Sequence, residues 1–159
     1  MERLKTRPEL LLPVGDMPML VAAIHNGADA VYIGMPGFNA RGRTKDFSVA
    51  ELKEMIDLAH LYGVKVHMAF NVLIFQDELP AAEALLREVL PLGPDAFIVQ
   101  DLGLVRLVRE ICPELPIHAS TQMTLTSAET IAMVQGLGVE RVVLARELSI
   151  EEIAQIARQ

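Results

Sequence analysis

The sequence predicts an α/β fold of six parallel βα units, an incomplete (β/α)8 barrel of the TIM type. Three observations predict it. Apolar runs of strand length alternate with longer stretches of helical period along all 159 residues. The composition is 52% hydrophobic with only five Phe, two Tyr and no Trp, so the surplus is aliphatic, as suits strands buried beneath covering helices. Returns from helix to strand are short, as at Gly63, whereas exits from strand to helix are long, above all 35–47. Long connections on one rim are what barrels and open α/β sheets show where their site sits at the carboxyl ends of the strands.

Taken in order, the strands are expected at Leu10–Pro13, Ala30–Gly34, Val64–Asn71, Ala96–Gln100, Ile117–Ser120 and Arg141–Ala145. Helices are expected near 17–26, 48–62, 79–90, 103–111, 126–137 and 149–158. Asp16 can cap the first helix. Ser48 with Glu51, Thr126 with Glu129 and Ser149 with Glu152 each have capping-box spacing, in which each partner satisfies an orphan backbone donor. Gly27, Gly63, Gly93, Gly136 and Gly138 fall at or near helix ends, where a left-handed conformation suits glycine. No linker or low-complexity tract divides residues 1–159, which read as a single domain.

Strand parity separates the barrel from its alternative, an open doubly wound parallel sheet. In the third strand Val64, Val66, Met68 and Phe70 share one face, and Lys65, His67, Ala69 and Asn71 the other. His118 and Ser120 likewise oppose Ile117 and Ala119. Helices on both sides of an open sheet call for two apolar faces, whereas a barrel interior carries polar groups towards its functional rim.

The carboxyl ends of the strands gather the candidate site. The second strand leads to Asn39, Arg41, Arg43 and Lys45, the third to Asn71, the fourth to Gln100 and Asp101, the fifth to Ser120, Thr121 and Gln122, and the sixth to Arg146 and Glu147. Arg41 and Arg43 can grip an anion in two-pronged fashion, or form a solvated loop beside nearby acids. Asn71 and Gln122 can orient a substrate or tie loop backbone. Asp101 is a general base or a helix cap. Arg146 and Glu147 are adjacent, so on a strand both cannot point inward.

Several chemistries are excluded or weakened. The one cysteine, Cys112, cannot build a disulfide framework, a zinc site or a cluster from thiolates of this chain alone. The four histidines show no HExxH spacing, and no metal ligands are assigned. There is no GxSxG elbow, GxGxxG or GxxxxGK[ST]. Net charge, 14 − 21 = −7, argues against a broad phosphate-binding face on these residues. Neither a signal-peptide stretch nor a bilayer-length apolar run appears, so the expected compartment is the cytoplasm. Open barrel edges invite self-assembly into a homo-oligomer.

Four segments, ELLLPVGDMPMLVAAIHNGADAVYIG, FNARGRTKDFS, HASTQMTLTS and GVERVVLARELSIEEI, together resemble the collagenase-like peptidases of family 32 in the unassigned class, peptidase U32. The resemblance runs from about residue 9 to 157. It implies a barrel-like catalytic domain longer than this chain, in a family whose branches include hydroxylation of tRNA uridine, ribosomal cytidine or the ubiquinone ring as well as the named proteolysis. It also implies a [4Fe–4S] cluster in full-length relatives, held by cysteines that follow the segment here at Leu144–Ser149. This polypeptide is therefore expected to be inactive alone and to meet RNA through regions outside it. Asn39, Arg41, Arg43, Asn71, Ser120, Thr121, Gln122 and Arg146 carry over as substrate-binding candidates, and Asp101 and Glu147 as catalytic ones.

Overall fold

A computed structural model describes residues 7–40 and 47–158. Six strands, β1 (Leu11–Val14), β2 (Ala30–Gly34), β3 (Lys65–Phe70), β4 (Ala96–Val99), β5 (Ile117–Ala119) and β6 (Arg141–Val142), form one sheet. Their order is β1-β2-β3-β4-β5-β6, and every neighbouring pair is parallel. A doubly wound sheet reverses its order part-way. An unreversed order with right-handed crossovers keeps all helices on one side, which is the winding of a barrel.

The helices are α1 (Met17–His25), α2 (Val49–Leu61), α3 (Leu79–Val89), α4 (Leu102–Ile111), α5 (Ala128–Gly136) and α6 (Ile150–Ile156). The buried stripes of α2 and α4 meet one face of the sheet. Leu52, Met55, Ile56 and Ala59 of α2 and Leu104, Val105 and Val108 of α4 share one core with Val31, Ile33, Val66, Met68, Phe70, Phe97, Val99, Ile117 and Ala119. The opposite face holds Tyr32, Lys65, His67, Ala69 and His118, aligned across the ladders Tyr32↔His67 and Ala69↔Ile98↔His118.

That second face is concave. His67 and His118 lie on strands separated by β4, roughly 10 Å apart in a flat sheet, yet their ring centroids are 4.9 Å apart. Glu9, just before β1, accepts a 3.0 Å hydrogen bond from Arg141 of β6, 132 residues away in sequence. The sheet therefore curls until its first and last strands approach across the hollow, while no ladder joins them.

Helix starts follow the sequence with one correction. Asp16 accepts from Met19 N at 2.8 Å, and Ser48–Glu51 and Ser149–Glu152 form reciprocal boxes. The fifth helix is capped by Ser127 with Thr130, not by Thr126 with Glu129. Leu125 is buried, so the chain enters one residue later, and the Thr130 hydroxyl serves in place of a carboxylate. Gly27, Gly63, Gly93 and Gly138 have positive φ, whereas Gly136 is the last residue of α5 and does not. The sixth strand ends at Val142 instead of Ala145, because its only neighbour, β5, is itself three residues long.

At the amino ends of the strands, one side chain fastens two connections, α4 to β5 and α5 to β6. The guanidinium of Arg109 donates to the carbonyls of Pro113, Leu115 and Gly138, the last presented by a glycine at φ 93°. Losing charge-assisted bonds to partly buried carbonyls costs about 1.5–3 kcal/mol. Arg109→Ala should lower the free energy of urea unfolding by about that amount. Arg106→Ala, which removes an exposed i,i+4 pair with Glu110, should change it by less than ~0.5 kcal/mol.

Candidate functional site

All six strands feed one hollow of about 380 Å³ at their carboxyl ends. Leu11, Tyr32, Ala69, Ile98 and Val143 form its walls, and Ala40, Asn71, Ser120, Thr121, Gln122 and Arg146 its mouth. The split follows from parity. Towards the carboxyl ends the lumen-facing ladder residues Tyr32, Ala69 and Ile98 are aromatic, small or aliphatic, and the residues that follow the strands carry amides, hydroxyls and a guanidinium.

Five candidates from the sequence, Asn71, Ser120, Thr121, Gln122 and Arg146, meet at this mouth. Asn71 Oδ1 accepts from Ala40 N at 3.2 Å, so the amide ties the β2 connection while it lines the hollow. Ser120 is 3% exposed and its Oγ accepts from Gln122 N at 3.3 Å. Residues Thr121–Met123 form a single 3₁₀ turn closed by Thr124 at φ 55°, which brings Thr121 and Gln122 back over the lumen. The sequence reading missed this turn, although a Ser followed two residues later by an available N–H is its signal.

Other candidates lie elsewhere. Asn39 is outside the lining, with its Nδ2 donating to Met35 O at 2.8 Å. Its amide rests on Gly34, where a Cβ would stand 2.7 Å from Asn39 Cγ, so no larger residue fits there without displacing it. Asp101 is the N-cap of α4, its Oδ1 accepting from Leu104 N at 2.9 Å, and it too is outside the lining. Arg146 lines the hollow and its neighbour Glu147 does not. Arg41, Arg43 and Lys45 fall outside the described residues.

Below the hollow lies a layer that the sequence placed indoors without a role. His67 and His118 are 2% and 7% exposed and meet edge to face, at 87°. His67 Nδ1 is buried with no hydrogen-bond partner among the described residues. Burial pushes His67 below its ordinary value, with Arg141 and Lys65 adding to the effect and Glu9 and Asp95 opposing it. Burial, then the neighbouring His67 and Arg141, lower His118 to about 4. Both rings are therefore neutral near pH 7. The pair Glu9–Arg141 closes the layer beneath them. Tyr32 and Arg141 share this face through the ladders Tyr32↔His67 and His118↔Arg141, a placement the sequence reading did not make. Nothing local marked Glu9, whose partner is set by the curl.

A second hollow, about 600 Å³, opens at the amino ends between Arg7, Glu9, Asp29 and Lys65. Its charges are largely spent on structure. Arg7 pairs with Asp29 at 2.6 Å and Glu9 with Arg141, and Asp29 also accepts from Leu10 N at 2.8 Å. Among the described residues no three His, Cys, Asp or Glu side chains converge to hold a metal ion.

Residues 15–159 match the family described as peptidase family U32. The chain belongs to peptidase family U32. Among curated U32 relatives, the tRNA hydroxylation protein P of Escherichia coli is 40% identical over 96% of this chain and 34% of its own length. The 23S rRNA 5-hydroxycytidine C2501 synthase of the same organism is 39% identical over 94% of this chain and 22% of its own. A collagenase of Porphyromonas gingivalis is 30% identical over 93% and 35%. The chain thus spans between about a fifth and about a third of the length of these relatives. Among solved structures, U32 peptidase Mk0906 superposes with a TM-score of 0.77 at 16% identity, covering 99% of this chain and 67% of its own. Dihydrodipicolinate synthase (DHDPS) of Cyanidioschyzon merolae gives 0.63 at 14%, covering 94% and 59%, which shows a shared fold alone. No helix among the described residues is long and apolar enough to cross a membrane.

The U32 site can sequester a small, flat, partly apolar group against Tyr32 and Ile98 while its polar edge meets Asn71, Gln122 and Arg146. The histidine layer makes its foundation sensitive to acid. An unfolded imidazole titrates near its ordinary 6.5 and the folded His118 near 4, so the unfolded chain takes up the proton first as pH falls. The stability linked to His118 is complete above about pH 6.5, declines towards pH 4 and is level below. Urea midpoints of the parent should therefore fall more steeply between pH 7 and 4.5 than those of His118→Gln.

Proposed function

We propose that this U32 chain forms the N-terminal, substrate-holding part of an RNA-hydroxylation protein whose hollow receives one extruded nucleobase. The observation that carries the reading is the convergence of all six strands on one cavity of about 380 Å³. Its walls are apolar, and amides and a guanidinium stand at the mouth. A base removed from its stack is read in this way, by hydrogen bonds to its edge and contact with its faces. Asn71 and Gln122 offer complementary amide donors and acceptors for a pyrimidine edge, and Arg146 offers a fork for the adjoining phosphate. The 39–40% identity to proteins named for tRNA hydroxylation and rRNA hydroxycytidine synthesis supports the same choice.

An iron–sulfur cluster does not fit the described residues. The single thiol, Cys112, is the C-cap of α4, before the amino end of β5 and away from the mouth, whereas such clusters use several cysteine ligands. Cluster binding and turnover would then belong to parts of a cytoplasmic full-length protein other than these 159 residues. The outer edges of β1 and β6, which pair with no described strand, support docking of further chain or of a second copy.

Proteolysis has weaker support. Relatives named as protease or collagenase match at 38% and 30% identity. Ser120 Oγ, however, faces a backbone N–H and not an imidazole, so the described residues show no activated serine.

The test uses the full-length protein in a bacterial strain lacking its own RNA-hydroxylation proteins, with digested tRNA and rRNA read by nucleoside mass spectrometry. A restored hydroxylated pyrimidine, reduced at least ~10-fold by Asn71→Ala or Gln122→Ala, is expected, since each removes about 1.4 kcal/mol or more of edge recognition. Unmodified RNA together with cleavage of denatured collagen would replace this reading by the peptidase one.

A further inference from the structure

Beside the mouth the structure exposes large apolar side chains on connections that leave adjacent strands. After β3, Leu73 and Phe75 are 60% and 66% exposed, and after β4, Leu102 is 51% exposed. The first connection is held firmly. Asn71, at its start, is tied to Ala40 N, and Ile74 packs against the core. Phe75 N donates to Glu78 Oε2 at 2.8 Å, while Phe75 O accepts from Glu78 N at 2.9 Å. Ile74 is thus anchored inward between two neighbours that are turned out. The phenyl ring stands in solvent because its backbone is fixed there.

We propose that Phe75 is a stacking platform for a nucleobase flanking the one held in the hollow, with Leu73 and Leu102 widening the shelf. This rests on the RNA reading above and names a further contact for it. Extruding one base leaves its neighbour with a bare face, and an exposed aromatic ring stacks on any base at about 1–3 kcal/mol. Phe75 follows Asn71 by four residues on the connection after β3, so it stands on the same rim as the mouth. The outer edges of β1 and β6, unpaired among the described strands, lie across the lumen from β3 and β4, whose connections carry the shelf. Glu78, the acid tied to this loop, has its carboxylate turned onto the Phe75 N–H, so its charge is partly engaged at the ring's own backbone.

Binding of a fluorescently labelled tRNA to the full-length protein tests the proposal, alongside cytidine and uridine monophosphates as probes of the hollow alone. Phe75→Ala should weaken tRNA binding at least ~5-fold, Phe75→Trp should retain it, and mononucleotide binding should stay within twofold in both. Unchanged tRNA affinity in Phe75→Ala, with the parent binding normally, would overturn the platform and leave the RNA reading intact. A parent that binds neither tRNA nor mononucleotide would overturn both. A lower melting temperature of full-length Phe75→Ala, at unchanged tRNA affinity, would mean that the ring is covered by the protein's own chain, and would also overturn the platform.

Discussion

Everything in this molecule depends on the curl of a parallel ladder whose strands pair in the order in which they occur. Curl makes the two faces of every strand inequivalent. One meets helices and must be apolar to bury aliphatic surface. The other meets only its own opposite side, across a space narrow enough for His67 to touch His118 over an intervening strand. Near the amino ends that space is filled by the imidazoles and the Glu9–Arg141 pair. Near the carboxyl ends the side chains are too small to fill it, and Ala69 and Ser120 leave a cavity where Leu or Phe would have closed it.

The histidine layer shows what a packed polar lumen demands. A buried imidazole is tolerable if neutral, and burial itself enforces neutrality by lowering the affinity for a proton. Arg141 and Lys65 push the same way, so the positive charge beside the rings is held by Arg141, paired with Glu9, and not by a histidine. His67 Nδ1 is the one buried side-chain nitrogen or oxygen among the described residues left without a partner.

Much of the architecture could be read before any coordinates. β2 has the expected limits, and the faces of β3 and β5 follow the expected parity because alternation in a half-buried strand is strict. The caps at Asp16, Ser48 and Ser149 rest on spacings of three residues, and local rules suffice there. Legibility failed where geometry is shared between distant segments. The end of β6 depends on how far β5 can pair, the partner of Arg141 lies 132 residues away, and Thr121 and Gln122 reach the lumen through a 3₁₀ turn that periodicity does not report. Asp101 was ambiguous by nature, since the position of a general base after a strand is also that of a helix cap, and the structure finds it capping.

The unbroken strand order has a consequence for how the chain acquires its shape. Each strand hydrogen-bonds to the one synthesised just before it, so a nascent polypeptide leaving the ribosome can add one βα unit after another to a growing margin. Small stitches assist this accretion. Asp29 grips the N–H of Leu10, and Asp95 grips that of Val66, each reaching back one unit. The Glu9–Arg141 contact joins the first strand's entry to the sixth strand and must wait until all six strands have emerged, which makes it the clasp that registers the ring's curvature as complete so far.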